Sequence, residues 1–282
     1  MTLDYESFNS YNSEATIEIN LHSFTLRTLK RLEQTLESIL DRSQSTINEF
    51  AEQVISAWSR NEGAADVDYS AIDLDEIKNE LPIISEELEL LLPASRLILS
   101  HLIQQKGVTK NPEDSRILYI DREKAENILF YEMVRVLVEL LGREEGIRVY
   151  KDAVDSMADK QARLEPDLTK ISQFSKNFTS GLAESGGFSF AVAGIDDGML
   201  LGKFDKCVVH ESLKNVSDPE VGYLVTCYTG MVTGNRRNQN VQMRRTHTLF
   251  SGDFCDELYW DPKLHKDPAQ PPLEFSRKLR VD

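Results

Sequence analysis

The sequence is short of cysteine, of long apolar runs and of positive charge, and each shortage excludes something. Only Cys207, Cys227 and Cys255 occur among 282 residues, an odd number that leaves no fully paired disulfide set and points to a reducing compartment. No uninterrupted run of about 18 apolar residues is present, so no membrane-spanning helix and no membrane partner is expected. Residues 1–20 carry Asp4, Glu6, Glu14 and Glu18 but no lysine or arginine. That is the reverse of a secretory leader's basic start and apolar middle, and the expected location is cytoplasmic. With 32 Lys and Arg against 47 Asp and Glu the net charge is −15, which repels phosphate backbones, so no nucleic-acid partner is expected. Neither Gly186-Gly187 nor the stretch from Gly230 to Gly234 has the order of a phosphate-binding loop.

What remains is globular in composition, 40% hydrophobic and 28% charged, with length for one large domain or two smaller ones. Residues 1–20 are polar and acidic and read as a flexible arm, or as one short strand at Ala15 to Ile19. From Ser23 a helical stripe runs through Leu29, Leu32, Leu36 and Ile39, followed by Ile47, Phe50 and Val54. The stripe either packs on the rest of the chain or forms the seam of a homodimer; it is too short for a coiled coil. Gly63 to Asp75 reads as a linker, and Leu81 to Gln105 as a helical stretch interrupted at Pro93.

The polar segment Thr109 to Ser115 marks a boundary, which makes 21–110 a helical region and a candidate dimerisation or partner surface. Asp121 is placed to cap a helix reaching Gly142, with apolar positions from Ala125 to Leu140 at the 3.6-residue period. Further helices are expected over Glu144 to Ala162 and Pro166 to Leu182. Strands follow at Phe188 to Ala193, Leu200 to Val209, Val241 to Phe250 and Phe254 to Trp260. The expected class is α+β: an N-terminal helical region, then a helical layer packed on a mainly antiparallel β-sheet over 111–262, with 263–282 as an extended tail.

Reactive side chains are densest between Arg244 and Trp260. Strand alternation puts Arg244, Thr246 and Thr248 on one face and Arg245 and His247 on the other with Met243 and Leu249; on the next strand Cys255, Glu257 and Tyr259 share a face opposite Asp256, Leu258 and Trp260. Arg236, Arg237, Arg244 and Arg245 concentrate positive charge on an otherwise acidic chain and could grip a carboxylate. For hydrolytic chemistry Cys255 is the candidate nucleophile, with Asp253 or Asp256 as acid or base. Arg244, Arg245, Thr246 and Thr248 are the candidate substrate-binding residues. Each also has a plain structural reading: Cys255 as a small buried sheet residue, Asp253 as a turn residue, His247 as a core histidine. No cofactor is expected, but Cys207, His210, Cys227 and Cys255 form a weak candidate zinc set, since they lack paired CxxC spacing.

The run from Arg245-Thr246-His247-Thr248-Leu249 through Gly252 to Cys255-Asp256-Glu257-Leu258-Tyr259 resembles the signature of the L-2-amino-thiazoline-4-carboxylic acid hydrolase family. So do the Phe204-x-x-Cys207 segment and Cys227, and together they cover about residues 120–261. Glu257 departs from the aromatic residue common there, and the first 110 residues have no counterpart. The resemblance implies hydrolysis at a C=N or C–S carbon of a small anionic five-membered heterocycle, giving an N-carbamoyl amino acid. Two competing expectations are a non-catalytic sensor similar to 4-vinyl-reductase-like domains and a helical scaffold protein.

Overall fold

In the computed structural model, residues 4–60, 72–103, 116–161 and 171–281 are described. The chain divides into a helical unit, Thr16–Met157, and a sheet unit made of Met1–Ala15 with Ala158–Asp282. The polar boundary expected at Thr109 to Ser115 lies outside the described residues, as does most of the Gly63 to Asp75 linker.

The helical unit begins with β2 (Thr16–Glu18), antiparallel to β3 (Arg116–Leu118). Its helices are α1 (Leu21–Glu37), α2 (Gln44–Ser59), α3 (Leu74–Glu80), α4 (Leu91–Ile103), α5 (Tyr119–Leu141) and most of α6 (Arg143–Gln161). Starts are fixed by polar caps: Asn20 Oδ1 accepts from the Ser23 amide at 2.8 Å and Asp73 Oδ1 from the Glu76 amide at 2.9 Å, satisfying donors a helix leaves open. The stripe Leu29, Leu32 and Leu36 is at most 1% exposed. These three leucines are buried inside this unit.

The helix break expected at Pro93 falls earlier. A π-helical turn over Ile83–Glu87 ends first, and α4 restarts so that Pro93 sits in its first turn, where the missing N–H costs nothing. Glu33 of α1 holds that π turn, accepting from the Ile83 and Ile84 amides at 3.0 and 2.9 Å. Asp121 is not the cap of α5. The chain enters the helix directly from β3 with Leu118 at the cap position, and Asp121 lies in the first turn, where its charge suits the helix dipole. Gly142 ends α5 at φ +83°. Gly146 then lets α6 approach: a Cβ there would lie 2.7 Å from the Leu137 carbonyl carbon.

The sheet unit contains five strands, all antiparallel, in the order β1-β4-β5-β7-β6. They are β1 (Tyr5–Asn9), β4 (Phe188–Asp196), β5 (Met199–Cys207), β6 (Gln242–Arg244) and β7 (Cys255–Trp260). The N-terminal arm is therefore partly a strand: residues Tyr5–Asn9 pair with β4, and Phe8 stacks on Phe190 at 4.8 Å. Its acidic residues conceal it, as charges at a sheet edge often do.

One sheet face packs against α7 (Ile171–Ser185) through Phe190, Val192, Phe204 and Tyr259. Also in this unit are α8 (Val208–Leu213) and a run of α9 (Pro219–Tyr223), a π turn (Leu224–Tyr228) and α10 (Thr229–Arg237). The other face, with Ala191, Ala193, Leu201, Leu258 and Trp260, is covered by the tail through Leu279 and Phe275, helped by a short α11 (Leu273–Ser276). The tail is thus part of the core and not only a surface segment: Leu279 is fully buried, and its carbonyl accepts from Lys203 Nζ at 3.0 Å. The architecture is α+β with an antiparallel sheet. Among the described residues no helix is long and apolar enough to cross a membrane.

Candidate active site

Alternation along β7 sends Cys255, Glu257 and Tyr259 to one side, and there they meet a cavity of about 380 Å³. The opposite walls come from Phe174, Phe178 and Leu182 of α7, from Thr226 and Cys227 of the π turn and from Asn235 of α10 with Asn238 just beyond it. Phe204 and Cys207 enter from β5, Met243 from β6 and Arg245 from the residue after it. Tyr259 lies 5.0 Å from both the Phe174 and Phe178 rings. The π turn widens the helix at Cys227, a distortion frequent at functional sites.

The polar centre is Arg245 with Glu257. Arg245 Nε donates to Glu257 Oε1 at 2.6 Å and Nη1 donates to the Cys227 carbonyl at 2.5 Å; the Tyr259 hydroxyl donates to Glu257 Oε2. The arginine and glutamate side chains are 13% and 8% exposed. Burial works against the charge on Arg245, but the Glu257 charge and hydrogen bond, with Cys227 and Tyr259, together outweigh it, and the guanidinium pKa is raised. Burial and the neighbouring Glu257 charge likewise keep the Tyr259 phenol well above its ordinary range.

All three cysteines line this cavity. Burial pushes the Cys207 thiol up to about 12, against the opposing effect of the His210 and Val209 amides. Cys255 is raised by burial and by Cys227, while its Sγ accepts from the Leu249 amide at 3.2 Å. Cys227 is raised by burial despite Arg245 beside it. At neutral pH these groups rest as thiols, which are weak nucleophiles.

The expected hairpin is shorter than its pattern suggested. Instead of a strand from Val241 to Phe250, only Gln242–Arg244 pairs with β7, and residues 245–254 form a loop around Asp256. That carboxylate is completely buried. It accepts from the Thr246 amide at 2.8 Å, the Thr246 hydroxyl at 2.7 Å and the His247 amide at 2.7 Å, taking over donors a sheet ladder would have used. Asp256 points away from the cavity, as alternation requires, and serves the loop.

Other expected site residues also lie elsewhere. Asp253 is exposed and accepts from His247 Nε2 at 3.2 Å, so His247 is a loop residue packed on Phe254 and not a core histidine. Thr248 meets Ser251 at 3.3 Å. Arg244 leaves on the other face to Asp267 at 2.9 Å, the Pro268 carbonyl and the Trp260 ring, and Arg236 pairs with Asp159 at 2.7 Å. The four arginines do not converge. Nor is the Cys207, His210, Cys227 and Cys255 set gathered around one point: among the described residues no three His, Cys, Asp or Glu side chains form a metal-binding group, and the His210 ring packs edge-on to Phe250 at 4.9 Å.

Of the candidate residues, the structure brings Cys207, Cys227, Cys255 and Arg245 to the cavity. It adds Glu257, Tyr259 and Asn238, which motif reading passed over. Glu257 and Tyr259 had a signal, since both share the Cys255 face; Asn238 had none.

Residues 122–259 match the family model described as L-2-amino-thiazoline-4-carboxylic acid hydrolase. The match begins within α5 and ends at Tyr259, includes every cavity-lining residue, and makes the C-terminal half of the chain hydrolase-like. No curated protein matches the chain, and no solved structure does.

Proposed function

We propose that the cavity binds a small heterocyclic carboxylate of the thiazoline or cyclic amidine type and opens its ring by hydrolysis. The observation that carries this reading is the buried Arg245–Glu257–Tyr259 set on the cavity wall, within the segment that matches a hydrolase family. Arg245 is already neutralised by Glu257, so a simple anion would leave the buried glutamate without its cation. A zwitterion avoids that cost by exchanging partners: its carboxylate takes Arg245 and its amidinium takes Glu257.

Glu257 is the proposed base in place of Asp253 and Asp256, which do not line the cavity. From the amidinium form, water adds to the ring carbon between nitrogen and sulfur as its proton passes to Glu257. The neutral adduct collapses to a urea as the C–S bond breaks. The hydroxyl proton moves to the departing sulfur, and Glu257 returns its proton to solvent. Tyr259, whose hydroxyl is bonded to Glu257, orients that carboxylate.

The test follows thiol release from 2-amino-thiazoline carboxylates. Glu257→Gln is expected to lower kcat by about 10²- to 10⁴-fold, while Asp253→Asn leaves it unchanged. Because Cys255 shares the wall, Cys255→Ala separates two routes: turnover within a few-fold of the parent supports activated water, and a loss as deep as that of Glu257→Gln makes the thiol the nucleophile. Saturable binding without thiol release from any of these compounds would replace the enzyme with a ligand-binding module.

A further inference from the structure

At one edge of the sheet lies β6, which is three residues long and pairs with β7 on one side. Along an antiparallel pair, the backbone groups of successive residues point alternately toward the partner strand and away from it. At an edge the outward groups need another partner, and for Met243 one side chain supplies it. Asn235 of α10 accepts from the Met243 N–H through Oδ1 at 2.7 Å and donates from Nδ2 to the Met243 carbonyl at 2.9 Å. The two bonds also fix which end of the amide is which, because a flipped group would set donor against donor and acceptor against acceptor. Asn235 therefore stands where a further strand would. The clasp is returned from the strand, since Gln242 Nε2 donates to the carbonyls of Asn235 and Asn238 at 3.2 and 3.1 Å.

The clasp matters to α10, whose nine residues are all at least partly exposed, so burial alone gives this helix a weak hold. Its ion pair from Arg236 to Asp159 is exposed on both sides and adds little. Arg245 is the first residue beyond β6, two positions from Met243. Its guanidinium donates to the Cys227 carbonyl, in the π turn that leads directly into α10. One continuous segment, the π turn with α10, thus meets Arg245 at its side chain through Cys227 and, through Asn235, at the strand that carries it.

We propose that Asn235 is a positioning residue: by completing the edge of β6 it sets where Arg245 stands against Glu257, and hence how well the cavity receives a ligand carboxylate. The carboxylate part rests on the hydrolase reading. The hold of Asn235 on Arg245 is testable without any ligand.

The ligand-free test is hydrogen exchange on the full chain, followed by NMR. The Arg245 Nε–H, identified by its absence in Arg245→Lys, is expected to exchange slowly because it is bonded to the buried Glu257. Asn235→Ala removes two hydrogen bonds from β6 and is expected to speed that exchange about tenfold to a hundredfold, while the amides between β4 and β5 keep their rates. The second test compares kcat/KM for 2-amino-thiazoline-4-carboxylate and for 2-amino-thiazoline, which lacks the carboxylate. A general loss of folded protein lowers both values alike, whereas a displaced Arg245 lowers their ratio about tenfold. Unchanged exchange at Arg245 in Asn235→Ala overturns the proposal, and so does faster exchange with an unchanged ratio. Faster exchange in a protein that turns over neither compound would support the hold on Arg245 and remove the hydrolase reading; turnover with unchanged exchange would do the reverse. If Asn235→Ala loses its melting transition, Asn235→Asp takes its place. That variant keeps an oxygen for the Met243 N–H but loses the donor to the Met243 carbonyl, and the same outcomes decide.

Discussion

Both units bury arginine beside glutamate, yet the two arrangements have different surroundings. In the helical unit Glu126 receives Arg27 at 2.6 Å and Arg122 at 3.0 Å, and Arg122 also pairs with Glu123. Nearby, Arg31 donates to the Tyr150 hydroxyl at 2.8 Å and lies over the Phe130 ring. None of these residues lines the cavity of the sheet unit, where one arginine, one glutamate and one tyrosine stand beside open space. The chemistry of the side chains is the same in both places. The adjoining space decides whether an ion pair only ties helices together or can also exchange partners with a ligand.

The sharpest test of that contrast is Arg245→Met. It leaves Glu257 buried without its cation and is expected to cost about 3–5 kcal/mol in denaturant unfolding. The double variant Arg245→Met with Glu257→Leu should regain most of that stability while ligand binding stays lost. If the double variant binds the proposed zwitterion as the parent does, the pair is structural and the contrast fails.

Asp256→Ala comes next, at about 2–4 kcal/mol, because the Thr246 and His247 amides lose a charged acceptor. Any fall in turnover should follow the loss of folded protein, with kcat per folded molecule unchanged. A lower kcat in fully folded Asp256→Asn would instead give this carboxylate a chemical role.

The smallest effect is a pH dependence of the helical unit. Burial, and for Glu123 the neighbouring Glu126, raise the Glu123 and Glu126 carboxyls above 4.5 against the pull of Arg122. The folded state therefore holds protons that the unfolded chain has already released, and stability should fall as pH rises from 4.5 through the raised values. Below 4.5 the sign reverses, since Arg148 chiefly, with Arg42, holds Glu145 down at about 2; stability that this group supplies is lost as pH falls from 4.5 toward 2. The chain has two tryptophans, so Trp260→Phe leaves Trp58, in the helical unit, as the fluorescent reporter for a series of unfolding midpoints. A midpoint that climbs steadily from pH 4.5 to 7 would contradict the assignment.

Much of this was legible in the residues. The stripes through Leu29 to Leu36 and Ala125 to Leu140 were readable because a 3.6-residue period survives whatever the helix packs against. The shared face of Cys255, Glu257 and Tyr259 was readable because side chains along a strand can only alternate. The acid-rich β1 and the proline-rich tail were not, since each is held by a sheet built from residues some 70 to 180 positions away in sequence.

The sequence by itself determined the α+β class, most of the helices, the strands at Phe188 to Ala193, Leu200 to Val209 and Phe254 to Trp260, and the run of residues that carries the family resemblance. Only the tertiary structure decided that Arg244 and Arg245 part company, that Asp256 is sealed into a loop, and that Glu257 faces the cavity beside Arg245. Periodicity sets the direction in which a side chain leaves its own element. What stands opposite it, whether a carboxylate, a ring or open space, depends on which distant segment packs there.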